Sequence, residues 1–334
     1  MQHPIRVGVY GASGYAGQDL VEILARHPNV EIVFGTSNTY AGDPIPLTLL
    51  RHIRHEEAEL SGVDVVFLAL PHLASAPVAA KARAAGLKVV DLSADLRLET
   101  AESFARWYNH AHPNPELLPT PYGLPEFNRE QLRGADLVAA PGCYPTTTLL
   151  GLYPLLKHDW LVENAPVIVD AKSGVSGAGR EPKPNTHFVE VYSNLSPYNP
   201  GRVHRHVGEI EQEMKRINPK AGLLIFTPHL LPVDRGLMAS IYVTLKPDHK
   251  ASDAQALFEE TYSHEALVKV LPPKQQATLK HVVRTNGAAI SLTPVTDRYL
   301  HITSVTDNLR KGASGQAVQC FNLMCDLPET TGLL

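Results

Sequence analysis

The stretch IRVGVYGASGYAGQDLVEIL, residues 5–24, decides the fold. Its first six residues alternate apolar and β-branched side chains, as a strand does, and Leu20, Val21, Ile23 and Leu24 recur at helical spacing. Gly11, Gly14 and Gly17 stand between them, so the text reads strand, glycine-rich turn, helix. His27-Pro28-Asn29 ends the helix, because proline cannot continue one and disfavours helical geometry just before itself. VEIVFG at 30–35 is a second strand. The pattern returns with a buried strand at 64–70 (DVVFLAL), an alanine-rich helix at 75–85 and a strand at 86–93 (GLKVVDLS). Strands alternating with helices specify a parallel sheet with helical crossovers, a doubly wound α/β domain of Rossmann type.

Beyond this core the text changes character. Residues 98–134 carry five prolines between Pro113 and Pro125 and read as a long functional loop. DLVAAPGCYPT at 136–146 returns to strand and turn. From about 165, β-rich segments (VIVDA, LLIFT, LMASIYVTL, VKVL, AAISL, YLHIT) are interrupted by only two helical patterns, 206–217 and 252–262. That is an α+β catalytic domain on a mixed or antiparallel sheet. A final helical stripe, 313–325, holds Cys320 and Cys325, both read as core, and carries the chain back to the first domain. The expected division is 1–146 plus 313–334 for the nucleotide-binding domain and 147–312 for the catalytic and oligomerisation domain.

Length and composition agree with two domains: 334 residues against about 150 per domain, with 44% hydrophobic and 19% charged residues. Thirty Lys+Arg against 34 Asp+Glu give a formal charge of −4, with no basic block to suit a nucleic acid or an anionic membrane. No apolar run reaches a membrane span, and Met1-Gln2-His3-Pro4 leads straight into a strand without a signal-peptide core, so a cytoplasmic protein with small-molecule partners is expected. Three cysteines, 143, 320 and 325, form neither a disulfide set nor a CxxC pair, and no metal site is expected.

The glycine turn is where chemistry enters. Backbone N–H groups of Gly11, Ser13, Gly14, Tyr15, Ala16 and Gly17 at a helix N-terminus suit a pyrophosphate, with the Ser13 hydroxyl as an added donor. A ligand-free turn is the plainer reading. An NAD site usually carries a carboxylate at the end of the second strand, whereas this chain has Gly35-Thr36-Ser37-Asn38-Thr39. That absence favours NADP(H). No arginine stands at the turn, leaving Ser37 and Asn38 as donors to a 2′-phosphate.

Cys143 follows Pro141-Gly142 and precedes Pro145 at the first turn of a helix running to about Leu156. A helix N-terminus stabilises a thiolate and makes the sulfur a nucleophile fit for acyl transfer; an inert buried thiol is the alternative. Arg202, His204, Arg205 and His206 crowd the entrance of the helix at 206–217, where a histidine can shuttle protons and arginines can pair with phosphate or carboxylate, or the turn is merely solvated. KSGVSGAGR at 172–180 resembles an anion nest ending in Arg180, and Arg97 follows the strand at 86–93.

Taken together, the motifs GASGYAG (11–17), SADLR (93–97), YGLPE (122–126), PGCYPT (141–146), SGVSGAGR (173–180), HRHVGEI (204–210), HLLPVDRG (229–236) and DNLRKGASGQAVQ (307–319) resemble those of the N-acetyl-γ-glutamyl-phosphate reductases in the aspartate-semialdehyde dehydrogenase superfamily. The resemblance runs almost end to end. It implies NADPH-dependent reduction of an acyl phosphate in arginine biosynthesis through a thioester on Cys143, with His206 or His204 as acid/base. Arg180, Arg202, Arg205 and Arg97 become substrate-binding candidates, and Asn308, with Gly312 and Gly315, falls near the nicotinamide. A homodimer or homotetramer is implied as well. The chain departs from the pattern at Val207-Gly208, at Thr147 and in the short segment 48–61 with its RHIRH, either a solvated surface or a contact with cofactor or partner. Two other readings remain open: the same chemistry on a carrier-linked aminoadipyl phosphate, and a non-catalytic NADP-binding regulator.

Overall fold

The computed structural model describes residues 3–334; the beginning of the N-terminal reading, Met1 and Gln2, lies outside the described residues. The chain divides into two compact units, Met1–Gly142 with Ala313–Leu334, and Cys143–Gly312.

The first unit is built on β1 (Ile5–Tyr10), α1 (Tyr15–Leu24), β2 (Val30–Gly35), β3 (Val65–Leu68), α2 (Ser75–Ala84), β4 (Lys88–Asp91), α3 (Ala101–Tyr108), α4 (Pro125–Leu132) and β5 (Leu137–Ala139). Its five strands are all parallel, in the order β2-β1-β3-β4-β5. A parallel sheet is covered on both faces, which is why β3 reads as the continuous apolar run VVFL with every residue buried. The strand order reverses between β1 and β3. That switch point lies at the end of β1, where the glycine turn begins, and ligands of such sheets bind at the carboxyl ends of strands there. The doubly wound α/β expectation therefore holds.

Residues 98–134 are more ordered than the expected loop. Thr100 caps α3 by accepting a hydrogen bond from the Ser103 N–H, Phe104 and Tyr108 stack at 4.6 Å in a small core with Leu98, and Pro125 starts α4 at a position where no N–H is needed. The proline-rich composition hid two eight-residue helices.

The second unit opens with α5 (Cys143–Lys157) and continues with β6 (Val167–Gly174), α6 (Phe188–Val191), β7 (Ser196–Pro197), α7 (His206–Ile217), β8 (Leu224–Leu231), β9 (Leu237–Thr244), α8 (Ala254–Thr261), β10 (Val268–Val270), β11 (Ala288–Pro294) and β12 (Tyr299–Thr306). The seven strands lie in the order β10-β11-β12-β9-β6-β8-β7. Pairing is antiparallel except for β10–β11 and β6–β8, which makes the sheet mixed as expected. Helices α5 and α7 pack on one face, over Val167, Val169, Phe226, Ile241 and Ile302. On the other face the register aligns Ile225, Ile168, Tyr242 and His301 in one row across β8, β6, β9 and β12. Ile225, Ile168 and Tyr242 are 44, 40 and 45% exposed, so this face is an uncovered apolar surface.

A π-turn at Arg310–Ser314 leads to α9 (Gly315–Met324), a little shorter than the expected 313–325. All ten of its residues are buried, and it packs on α1, α4 and β4 of the first unit. Phe321 meets Phe67 and His27 at ring distances of 5.5 and 5.7 Å, and Ser314 Oγ donates to Ala16 O at 2.7 Å. Cys320 is buried and its thiol donates to Gly123 O at 3.2 Å. Cys325 caps the end of α9, and burial pushes its thiol up to about 11. Neither behaves as a reactive sulfur.

Candidate active site

The turn after β1 is shaped by contacts that tolerate no side chain. Gly11 has φ +76°, and a Cβ there would fall 2.3 Å from Ala69 O at the end of β3. A Cβ on Gly17 would fall 2.1 Å from Gly11 O. Gly14 is different: its nearest neighbour would be 3.6 Å away, so the missing side chain leaves the backbone open outward. Gly14 caps α1, no side chain caps the helix, and no acidic residue stands in its first turn. An uncapped helix N-terminus behind an open glycine backbone fits a pyrophosphate.

Beside it, Ser13 Oγ donates to Ser37 Oγ at 2.8 Å, and Gly11 N donates to Thr36 Oγ1 at 3.2 Å. Two participants carried no individual role in the sequence, although His55 belongs to the RHIRH segment, expected to be either solvated or in contact with cofactor or partner. Thr36 Oγ1 is also bonded to His55 Nδ1 at 2.7 Å, and His55 N donates to Asn38 Oδ1 at 3.0 Å. His52, in the same RHIRH segment, is buried rather than solvated. This segment lines the nucleotide turn; no periodicity could have indicated so.

In the second unit, Cys143 is the first residue of α5 and is half-buried. Gly312 packs against it so closely that a Cβ would fall 2.9 Å from Cys143 Cβ. The adjacent Tyr144 is buried, and its ring meets His204, His206 and Phe226 at 5.7, 6.0 and 5.3 Å. The rings of His204 and His206 lie 4.9 Å apart, and His206 N donates to His204 Nδ1 at 3.2 Å. Burial, reinforced by Arg205, lowers the His204 pKa to about 4. His204 is therefore neutral at pH 7, whereas His206 occupies the first position of α7.

Tyr198, which no motif singled out, donates from its hydroxyl to Tyr144 Oη at 3.0 Å, and Tyr144 Oη donates to His229 O at 3.2 Å. Both phenols are held well above the usual tyrosine range, first by burial and also by the nearby Cys143 charge. They remain hydrogen-bond donors beside the sulfur at any working pH. Tyr144 could have been suspected from its place next to the cysteine; Tyr198 carried no signal in the sequence.

The remaining candidates separate. Arg202 makes a bidentate pair with Glu211 at 2.6 and 2.8 Å and also donates to Leu224 O, so its guanidinium is committed to the fold. Arg97, in the first unit, is buried and donates to Ala140 O at 2.8 Å and Leu92 O at 2.7 Å, tying together the ends of β4 and β5. Arg180 and Arg205 are exposed, Arg205 at the head of α7. Asn308 has both ends of its amide engaged: Oδ1 accepts from Gly236 N at 2.8 Å, and Nδ2 donates to Ser176 Oγ at 2.9 Å. It braces the SGVSGAGR loop. Arg235, not singled out before, lies nearly buried 3.8 Å from the buried Asp307. Among the described residues no group of His, Cys, Asp and Glu could hold a metal ion, and no helix is long and apolar enough to cross a membrane.

Comparison with known proteins places these features in a family. Residues 6–135 match the semialdehyde dehydrogenase NAD binding domain, and residues 143–308 match the semialdehyde dehydrogenase dimerisation domain. The chain is 44% identical over 340 residues to an N-acetyl-gamma-glutamyl-phosphate reductase of Moorella thermoacetica, covering 98% of each. It is 45% identical over 345 residues to the enzyme of the same name from Desulforudis audaxviator, covering 99% of this chain and 98% of the relative. Among solved structures, aspartate semialdehyde dehydrogenase II of Vibrio cholerae, complexed with ASA, superposes with a TM-score of 0.77 at 19% identity, over 97% of this chain and 99% of that one. Aspartate semialdehyde dehydrogenase of Candida albicans, solved with NADP, gives 0.70 at 16% identity, over 99% and 100%. At these identities the structures share the fold.

Proposed function

This chain belongs to the N-acetyl-γ-glutamyl-phosphate reductases of the semialdehyde dehydrogenase family, and from that premise we propose that it reduces N-acetyl-γ-glutamyl phosphate to the semialdehyde with NADPH, releasing phosphate, through a thioester on Cys143. The reaction serves arginine biosynthesis. The observation that carries the assignment of roles is the convergence on Tyr144 of Cys143 at the head of α5 and His206 at the head of α7.

The Cys143 thiolate, favoured by the positive end of α5, attacks the acyl-phosphate carbonyl; the carbon–oxygen bond to phosphate breaks and phosphate leaves with the electron pair. His206 gives a proton to the departing phosphate oxygen, a task that His204, neutral at pH 7, is unable to perform. His204 instead accepts the His206 N–H and fixes the turn. Backbone N–H groups at the start of α5 are the donors for the oxyanion that forms at the carbonyl. NADPH, when bound at the glycine turn, supplies the hydride that takes the thioester to the aldehyde level. The sulfur then leaves as thiolate and the semialdehyde is released. Arg205 and Arg180, both exposed, are the candidate cations for the phosphate and carboxylate, while Arg202 and Arg97 are engaged in the fold.

The absence of a carboxylate after β2 supports NADP over NAD. Three cysteines in no disulfide among the described residues support a reducing, cytoplasmic setting. For the uncovered sheet face we infer that its occupant is a second copy of the chain, because the matched segment is a dimerisation domain and the row Ile225–Ile168–Tyr242 leaves apolar surface open. The test is to assay free N-acetylglutamyl phosphate with the wild type and with Cys143→Ser. The substitution should cut turnover by about a thousandfold or more while NADPH binding, followed by fluorescence, persists. Near-normal turnover in the variant, or a wild type that ignores the free substrate, overturns the reading.

A further inference from the structure

The turn after β2 lacks the arginine that a 2′-phosphate site ordinarily recruits, but the fold delivers one from another segment. Ile53 forms a parallel bridge with Thr36: its N–H donates to Gly35 O at 3.1 Å, and its carbonyl accepts from Ser37 N at 2.8 Å. Two residues later, His55 is bonded to both Thr36 and Asn38. Arg54 stands between these two anchors and thus runs alongside Ser37 and Asn38. It is exposed, and its guanidinium pairs with no carboxylate among the described residues; Arg51, by contrast, donates to Gly42 O at 2.6 Å.

The neighbouring groups have the polarity of an anion site. Ser37 Oγ already accepts from Ser13 Oγ and Tyr40 N, so its own O–H is the end that donates. The Asn38 oxygen is taken by His55 N, leaving its NH2 as the donor. Burial lowers the His55 pKa, so that ring adds no positive charge near pH 7. Two acids are near: Glu57, whose Oε2 accepts the Arg54 backbone N–H, and Glu56, which acts on the His55 ring. A free ribose 2′-hydroxyl needs an acceptor, as an acidic residue provides; this place offers two donors and a cation.

Resting on the NADP reading of the glycine turn, we propose that Arg54, with Ser37 and Asn38, receives the 2′-phosphate of the cofactor and sets the preference for NADPH over NADH. The experiment titrates NADPH and NADH separately, by nucleotide fluorescence, against the wild type, Arg54→Ala, Arg54→Lys and Arg51→Ala. Arg54→Ala should lose about 10- to 100-fold in NADPH affinity while NADH affinity stays within about twofold, which also reports an intact fold. Arg54→Lys should recover part of the loss, and Arg51→Ala should match the wild type. An Arg54→Ala protein that keeps the wild-type ratio of the two affinities overturns the proposal and leaves the NADP reading standing. A wild type without preference for NADPH overturns both.

Discussion

At the scale of single residues, the two histidines of HRH differ because one is buried and the other begins a helix. His204 in the folded state holds its proton only below about pH 4, against 6.5 for the free side chain. The unfolded chain therefore binds more protons between these values, and the stability of the second unit is full above pH 6.5 and declines as pH falls towards 4. His204→Asn retains an acceptor for the His206 N–H and cannot take up the proton. Between pH 7 and 4.5 the wild type should lose about 2–3 kcal/mol through this group, and His204→Asn should be spared that loss, as read from urea midpoints. Its activity should persist, whereas His206→Ala should lower kcat by about 10²- to 10⁴-fold. The reverse ranking of the two variants would reassign the proton donor.

At the scale of elements, the turn between β1 and α1 separates steric from binding roles within one motif. Gly17→Ala places a methyl against Gly11 O and should destabilise the first unit, lowering its melting temperature by several degrees or preventing folding. Gly14→Ala meets nothing closer than 3.6 Å and should fold normally, yet weaken NADPH binding by about tenfold where backbone and pyrophosphate must approach. Equal nucleotide affinity in Gly14→Ala and wild type would remove Gly14 from the site.

These elements also show what could be read in advance. Strand, turn and helix at 5–24 were legible because burial imposes periodicity, and the place of Cys143 at the start of a helix was legible because proline and glycine mark helix boundaries. α3 and α4 were obscured because prolines dominated a segment whose helix signals were a single threonine cap and a proline at the first position. His55, Tyr198 and Arg54 leave no periodic trace; they come to their neighbours through pairings across 19 or 54 residues, or through loop geometry. Arg97 and Arg202 read as anion binders because charge is visible in a sequence, whereas the carbonyls and carboxylate that claim them are not.

At the scale of the whole molecule, the second copy proposed for the open sheet face makes assembly the readout. Tyr242→Glu puts a charge into the centre of the Ile225–Ile168–Tyr242–His301 row without touching the packed face under α5 and α7. The variant should sediment as a monomer with unchanged circular dichroism, and a mass equal to that of an oligomeric wild type would remove this face from the interface.

The return of α9 to the first unit has a consequence during synthesis. On the ribosome, the half that emerges first is completed last: the surfaces of α1, α4 and β4 that receive Phe321 and its neighbours stay bare until residue 324 leaves the exit tunnel. Translation of the intervening Cys143–Gly312 takes on the order of ten to thirty seconds at about 5–20 residues per second, long enough for chaperones to engage the waiting sheet. A stop codon in the final stretch of the message would spare every strand of the thiol unit and strike the nucleotide site encoded at the opposite end of the gene.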